Sequence, residues 1–427
     1  MKAKNCLLVL ITLIATISSC KKENTGACTR NDDEAIGKFD KLSLSCSTIV
    51  IPTTVTGITG GTFKIDTFIA RLRSNLTSVT GYQTAVAYQG KIIATATGGS
   101  ARLNSDCVLY MNDCNQMNIA SQTKTITMVA VMQLLNQLGL SLDDSIGPFL
   151  PSSWVVPAYF RAMPFRNLLL HTSGINSINQ NFDSTISYAG LRSAIASGPL
   201  PTEVPSLNSY SGNTRNYKNA NYALFRVIIP SMWGQLATSP AELQNSKSNI
   251  TDALSSKYYE MYVKQFVLTP SGVTDATLDA GTLGDKATLF YNFGIEAKGT
   301  DMDKTWANIT GGGGWVMRAT DLALFENAWN ENSNVLDVSS RTLVYNTSAT
   351  QSGTTWYPGL VSNGNSTRGP VYGHGGDLNG GTGQMHGITL VMPDKIYICV
   401  QVNSDLPLSG NSNNLANWVI NAYDASW

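Results

Sequence analysis

Ser121 and Lys124 stand three residues apart in Ser121-Gln122-Thr123-Lys124, where a helical pattern begins. Three residues are nearly one helical turn, so the lysine lies beside the serine on one face. A serine hydroxyl is a poor nucleophile until a neighbour takes its proton. A lysine amine can take it when desolvation or nearby positive charge lowers its pKa. The first turn of a helix also leaves backbone N–H groups unpaired, so the N–H of Ser121 can face the oxyanion of a tetrahedral intermediate. The chemistry expected of such a pair is acyl transfer. By itself the spacing carries little weight, because Ser18/Lys21 and Ser19/Lys22 repeat it near the N-terminus. A serine at a helix start is otherwise a plain N-cap, with a solvated lysine one turn on.

The elements that must hold this pair are legible as periodicities. Ile126, Val129, Ala130, Leu134, Leu135 and Leu138 recur at three and four, predicting a helix from Ser121 that stops at Gly139. Helical spacing also marks 63–76, through Phe63, Phe68, Ile69 and Leu72. Residues 84–96 read as a β-hairpin turning at Gln89-Gly90, and 387–392 with 395–403 as two antiparallel strands turning at Pro393-Asp394. Helical segments at 165–170, 222–233 and 252–266 are joined by Asn/Ser/Pro-rich loops, and an amphipathic helix at 414–423 closes the chain. Strands at both ends with helices between imply an α/β (α+β) fold: an antiparallel sheet built from both termini and flanked by helices. In this division 62–155 and 311–427 form the α/β part, and 156–310 is a mainly helical insertion. No internal repeat is visible.

Composition limits the partners. The 427 residues carry 29 Lys+Arg against 29 Asp+Glu, so no basic footprint for nucleic acid exists. Residues 1–19 read as an export signal: Lys2 and Lys4 precede an apolar run from 6 to 17 that is too short to span a bilayer comfortably. The ending Ile17-Ser18-Ser19-Cys20 resembles a bacterial lipobox, which implies acylation of Cys20. Ordinary secretion after a small-residue cut is the other reading, and both export the chain. Loss of 1–19 leaves 27 basic and 29 acidic side chains, so only the lipid would hold the protein to a membrane. Residues 20–61 read as a tether. Past Cys20, the cysteines Cys28/Cys46 and Cys107/Cys114 are close in sequence and candidate disulfides in an oxidising compartment, with Cys399 left over in an apolar run. No spacing suggests a metal site, and no cofactor is expected.

Longer stretches carry a resemblance. The run Asn118-Ile-Ala-Ser-Gln-Thr-Lys-Thr-Ile-Thr-Met-Val-Ala-Val-Met-Gln-Leu-Leu, then Leu140-Ser-Leu-Asp-Asp, resembles the class C β-lactamase-related serine hydrolase family (peptidase S12 type). So does Phe165-Arg-Asn-Leu-Leu-Leu-His-Thr-Ser-Gly-Ile175, a structural landmark in which His171 is expected to be a hydrogen-bonded structural residue. The resemblance implies a β-lactamase/penicillin-binding-protein-like fold and two further site elements. Tyr217-Lys218-Asn219 matches Tyr-x-Asn: the phenol could act as general base for Ser121 and return the proton to the leaving group, and the amide could contact substrate and lysine. Tyr110-Met111-Asn112 has the same pattern but lies before the serine, out of order. Tyr372-Gly-His-Gly-Gly-Asp377 matches the His-x-Gly form of the third element. There His374 supplies a charge or hydrogen bond, Gly375 and Gly376 permit close approach, and the N–H of Asp377 joins that of Ser121 as oxyanion donor. Gly311–Gly314 with Trp315 to Phe325 matches a structural Gly-rich turn, strand and helix start, with Thr320 as N-cap. The resemblance covers 62–427 in order.

The chain departs from penicillin-binding relatives at the third element. His374 stands where a lysine would grip a substrate carboxylate, Gly375 replaces a hydroxyl, and Asp377, if its side chain faced the cleft, would repel an anion. Leu378-Asn-Gly-Gly-Thr-Gly383 reads as an insertion at one wall. The expected reaction is therefore hydrolysis of an ester or amide (a small ester, D-amino-acid peptide or β-lactam), with esterase, amidase or D-peptidase activity ahead of β-lactamase activity. The competing expectation is a catalytically silent cell-envelope binding module that keeps the fold.

Overall fold

The computed structural model describes residues 54–58, 61–103, 106–175, 186–199, 216–292, 299–300, 305–380, 383–407 and 410–427. The export signal, the tether as far as residue 53, Cys20, Cys28 and Cys46 lie outside the described residues, as does part of the insertion after Leu378.

Thirteen strands occur among the described residues: β1 Thr54–Ile58, β2 Gly61–Lys64, β3 Gly81–Tyr88, β4 Lys91–Arg102, β5 Leu109–Tyr110, β6 Met117–Asn118, β7 Val316–Met317, β8 Ala349–Gln351, β9 Thr354–Tyr357, β10 Leu360–Ser366, β11 Gly369–Gly380, β12 Gly383–Met392 and β13 Ile396–Val402. Nine form one antiparallel sheet in the order β5-β4-β3-β13-β12-β11-β10-β9-β8. The two ends of the chain meet at β3 and β13, with Val86 opposite Ile398. The β3–β4 hairpin turns on Gln89 and Gly90, both at positive φ (48° and 77°), a conformation whose twist matches that of the flanking strands.

β13 is buried along its whole length, and its alternation shows why it can be central. Ile396, Ile398, Val400 and Val402 face a core shared with the helices Ile65–Asn75 and Ser412–Asp424. Tyr397 and Cys399 face the opposite core, which contains the central helix Thr123–Leu138 and the helix Ala319–Glu331. Each such side chain removed from water contributes roughly 1.5–3 kcal/mol, so the sheet is clamped from both faces. Cys399 is a buried free thiol, while Cys107 and Cys114 are each disulfide-bonded.

The central helix ends as expected, with Gly139 left-handed at φ 65°. Its start differs, because Ser121 sits in a tighter turn, Ala120–Gln122, and the α-helix begins at Thr123. The apolar positions read from the sequence recur at three and four, and in the structure every residue from Thr123 through Leu135 is buried. The expected N-cap at Thr320 is incorrect. The helix begins at Ala319, and the Asp321 carboxylate accepts from the Arg318 N–H at 3.1 Å and from its guanidinium at 2.7 Å and 2.9 Å. A carboxylate two residues into the helix satisfies that end without the threonine. The segment read as one helix over 222–233 is two, Asn219–Ala223 and Phe225–Trp233. No helix among the described residues is long and apolar enough to cross a membrane.

Candidate active site

Ser121 is held at a strained turn. Ala120 has φ +48°, uncommon for a residue with a side chain, and its N–H donates to Asn118 Oδ1 at 2.8 Å. The two residues of β6 that lead into the turn pair with β7, and the Ile119 N–H donates to the Trp315 carbonyl at 2.9 Å. The serine therefore rests on a backbone fixed from the far end of the chain.

Lys124 is fully buried one turn on, and burial drives its pKa well below the ordinary lysine range. Its Nζ lies 2.9 Å from Ser121 Oγ, 2.8 Å from Asn219 Oδ1 and 2.6 Å from the Gly312 carbonyl oxygen. The last two are carbonyl oxygens and can only accept. A neutral amine satisfies both with its two N–H groups and has one lone pair left for the third neighbour, the serine hydroxyl. Tyr217 Oη, 2.9 Å from Ser121 Oγ, donates to the same oxygen. The hydroxyl can thus give its proton to Lys124 while accepting one from Tyr217.

Three threonines fasten this helix to the loops around it. Thr123 Oγ1 accepts from the Trp315 N–H at 3.4 Å, Thr125 donates to the Gly359 carbonyl at 2.9 Å, and Thr127 donates to the Gly311 carbonyl at 2.6 Å. Tyr259 Oη lies 2.8 Å from Thr127 Oγ1. Lys124 and Thr127 therefore hold two successive carbonyls of the Gly-rich turn. That turn runs directly over the backbone that follows Asn219: a Cβ on Gly311, at φ +111°, would fall 2.7 Å from the Tyr222 carbonyl oxygen.

Tyr217 lies between aromatic rings and the Lys124 amine. The His171 ring stacks on it at 4.3 Å between centroids, Trp356 of β9 is at 6.1 Å and His374 at 6.5 Å, and Lys124 Nζ is 4.9 Å from its centroid. His171 is buried and hydrogen-bonded. The buried His374 has Nδ1 2.6 Å from the Gly375 carbonyl oxygen. That oxygen cannot donate, so Nδ1 carries the proton.

β11 brings the third element to the serine. β10 pairs with β11 only as far as Gly373, so from His374 onward one edge of β11 has no strand partner among the described residues. The turn holding Ser121 lies against this stretch: a Cβ on Gly376 would sit 2.4 Å from the Ile119 carbonyl oxygen. The next residue points away. Asp377 Oδ1 accepts from the Ser412 N–H at 2.9 Å and from His386 Nδ1 at 2.6 Å, and Oδ2 from Ser412 Oγ at 2.7 Å. The carboxylate thus caps the helix Ser412–Asp424. Although its burial works the other way, the hydrogen bonds of His386 and Ser412 hold it below the ordinary carboxylate range. Alternation along the strand puts it on the opposite side from the serine, so the repulsion considered for it does not arise.

Ser121, Lys124, Tyr217 and Asn219 are thus in one hydrogen-bonded cluster, with His374 and Gly376 beside it. The sequence reading gave the Gly-rich turn a structural role and missed that the Gly312 carbonyl binds the lysine. It also gave no role to Trp356, which has no local motif. The threonines at 123, 125 and 127, hydroxyls within a largely apolar helical run, were the available signal that loops dock there. Among the described residues no three His, Cys, Asp or Glu side chains are grouped to hold a metal ion.

The sequence model described as Beta-lactamase matches residues 68–420. No curated protein matches the chain significantly. Among solved structures, the D-amino acid amidase from Ochrobactrum anthropi SV3, complexed with L-phenylalanine amide, superposes with a TM-score of 0.60 at 18% identity, covering 85% of this chain and 99% of that one. A penicillin binding protein from Bacillus halodurans gives 0.60 at 17%, over 84% and 100%. A D-stereospecific amidohydrolase from Streptomyces sp. gives 0.59 at 20%, over 84% and 98%. At these identities the likeness speaks for the fold.

Proposed function

The chain belongs to the beta-lactamase family, and from that premise we propose that it is a serine hydrolase acting on an ester or amide through an acyl-enzyme on Ser121. The observation that carries this reading is the environment of Lys124, a buried amine whose Nζ lies 2.9 Å from Ser121 Oγ, 2.8 Å from Asn219 Oδ1 and 2.6 Å from the Gly312 carbonyl oxygen, and whose pKa burial lowers. Ser121 Oγ attacks the substrate carbonyl carbon as its proton passes to Lys124 Nζ, leaving a tetrahedral oxyanion. The N–H groups of Ser121 and Asp377 are the donors assigned to that oxygen. On collapse the bond to the leaving group breaks and Tyr217 Oη protonates it. The Lys124 ammonium then restores the tyrosine proton. In the second half water attacks the acyl carbon and gives its proton to Lys124; on collapse the bond to Ser121 Oγ breaks and the Lys124 ammonium returns that proton to the serine oxygen. The sequence alone left both Lys124 and Tyr217 as candidate bases; the buried amine favours Lys124 as base, and the hydrogen bond that Tyr217 donates to Ser121 Oγ favours Tyr217 as acid.

The substrate proposed is a small ester, an amide or a D-amino-acid peptide ahead of a β-lactam. With Asp377 capping a helix and Gly375 turned toward Ser412 on the same face, this preference rests on His374 in place of a lysine, which leaves a substrate carboxylate little to bind. The amidases among the structural neighbours are consistent with it. We further propose that the protein is exported and lipid-anchored through Cys20, a reading that rests on residues 1–22. The test is a hydrolysis panel of p-nitrophenyl acyl esters, D-amino-acid amides, D-Ala-D-Ala peptides and nitrocefin, each with Ser121→Ala. Turnover of an ester or amide that vanishes in S121A supports the reading. Turnover that survives in S121A removes Ser121 from it, and nitrocefin as best substrate reverses the proposed order.

A further inference from the structure

We propose that His171 is a positioning residue for this reaction: a neutral imidazole that fixes the Tyr217 phenol against Ser121. The inference rests on the hydrolase reading above and adds a residue to it. His171 follows the short helix Phe165–Leu169 and is held at φ +58°, a region that costs a residue with a Cβ on the order of 1 kcal/mol or more. Its backbone is tied down on both sides. Its N–H donates to the Leu168 carbonyl at 3.2 Å, and its own carbonyl accepts from the Asn216 N–H at 2.9 Å, next to Tyr217.

The ring is fixed in tautomer as well as place. Nδ1 lies 3.3 Å from the Lys218 N–H, which can only donate, and 3.1 Å from Asn221 Nδ2. The amide orientation is set independently. Ser173 Oγ accepts from the Ile175 N–H at 3.1 Å and gives its own proton to Asn221 Oδ1, which turns the amide NH2 toward the histidine. Nδ1 therefore faces two donors with its lone pair, which requires that it carry no proton. Both donors belong to the segment that presents Tyr217 and Asn219.

The face of the ring completes the arrangement. It stacks on Tyr217 at 4.3 Å and 30° and lies 5.1 Å from the Tyr222 ring. Those same two rings are 4.9 Å and 5.9 Å from Lys124 Nζ, and His374 approaches Tyr217 at 6.5 Å. Among the described residues, the titratable groups near the imidazole include Tyr217, Tyr222 and, past their rings, Lys124 and His374. Protonating Nδ1 would set a third donor against the two already there and add a positive charge beside Tyr217, in a cluster that already has a buried amine. The Tyr217 loop would lose its anchor, so acid should disable the site through His171 as well as through Lys124.

The test is kcat and KM against pH for the wild type, His171→Ala and His171→Asn on the best ester of the panel, with folding followed by unfolding midpoint. Asparagine tolerates positive φ, presents an acceptor near the place of Nδ1 and does not titrate. H171A is expected to lose kcat on the order of 10- to 100-fold with KM changed by less than about threefold, because a misplaced proton donor affects the chemical step. H171N should recover most of that loss and shift the acid limb to lower pH. Wild-type kcat in H171A overturns the proposal. So does an H171N acid limb that coincides with that of the wild type, which assigns the limb to Lys124 alone. If H171A does not fold, the H171N profile decides. Wild-type turnover that S121A does not abolish sinks the hydrolase reading itself, whereas S121A-sensitive turnover with indifferent His171 variants sinks only this proposal.

Discussion

Glu326 is buried on the helix Ala319–Glu331 with 1% of its surface exposed, and no cation pairs with it among the described residues. One carboxyl oxygen accepts from the Trp329 indole N–H at 2.6 Å, and the Thr389 hydroxyl is the other polar neighbour of the carboxyl. Burial pushes its pKa from the ordinary 4.5 up to about 7. Between these values the native state keeps a proton that the unfolded chain has lost. Stability contributed by that proton is complete below about pH 4.5 and is lost as pH rises through about 7. At about 1.4 kcal/mol per pH unit, the gap corresponds to about 3 kcal/mol, near the cost of ionising one unpaired buried carboxyl. Glu326→Gln keeps an acceptor for Trp329 and cannot ionise. Urea unfolding of both proteins, followed by tryptophan fluorescence from pH 4.5 to 8.5, should show the variant gaining about 3 kcal/mol on the wild type across that range. A constant offset, from the added amide N–H group, does not affect this slope. A difference that is flat with pH would refute the reasoning, since the carboxyl would then titrate alike in both states.

Four further outcomes follow from the cluster at Ser121. Lys124→Met keeps the buried stem but removes the base, and kcat/KM should fall on the order of a thousandfold with the fold retained. In the wild type, acid removes the lysine lone pair, so activity should rise with pH through a value well below the ordinary lysine range; a limb near pH 10 contradicts the burial argument. Tyr217→Phe keeps the stack on His171 but loses the proton donor, so amide turnover should drop about tenfold more than turnover of p-nitrophenyl esters, whose leaving group needs no proton; equal losses contradict the acid role. Gly376→Ala places a methyl 2.4 Å from the Ile119 carbonyl oxygen, so it should cost roughly 1–3 kcal/mol in unfolding experiments and about a hundredfold in kcat/KM.

The sheet and its flanking helices were legible because their signals are local. The 84–96 hairpin has its turn residues in place, and the 396–402 run reads as an apolar strand without knowledge of its neighbours. What was hidden depends on contacts between distant segments. Gly312 lies 188 positions from the lysine it binds, and Trp356 meets Tyr217 from β9, a strand distant in sequence. Asp377 shows the same limit from the other side. Its place after His-Gly-Gly is a sequence fact, but the face it occupies depends on Ser412 at the start of the last helix. The misplaced cap at Thr320 is a smaller instance, in which a preference for hydroxyl caps was overridden by an arginine-bound carboxylate three residues past the true cap.

The central claim, that Ser121 is a nucleophile activated by Lys124, is tested most directly by covalent labelling. The purified protein is treated with a fluorophosphonate, and the adduct is located by tandem mass spectrometry, with Ser121→Ala and Lys124→Met in parallel. The account predicts one adduct, on Ser121, absent in S121A and formed far more slowly in K124M. Labelling that persists in S121A, or a folded wild type that does not react at all, would contradict it, and the second result would restore the silent binding module.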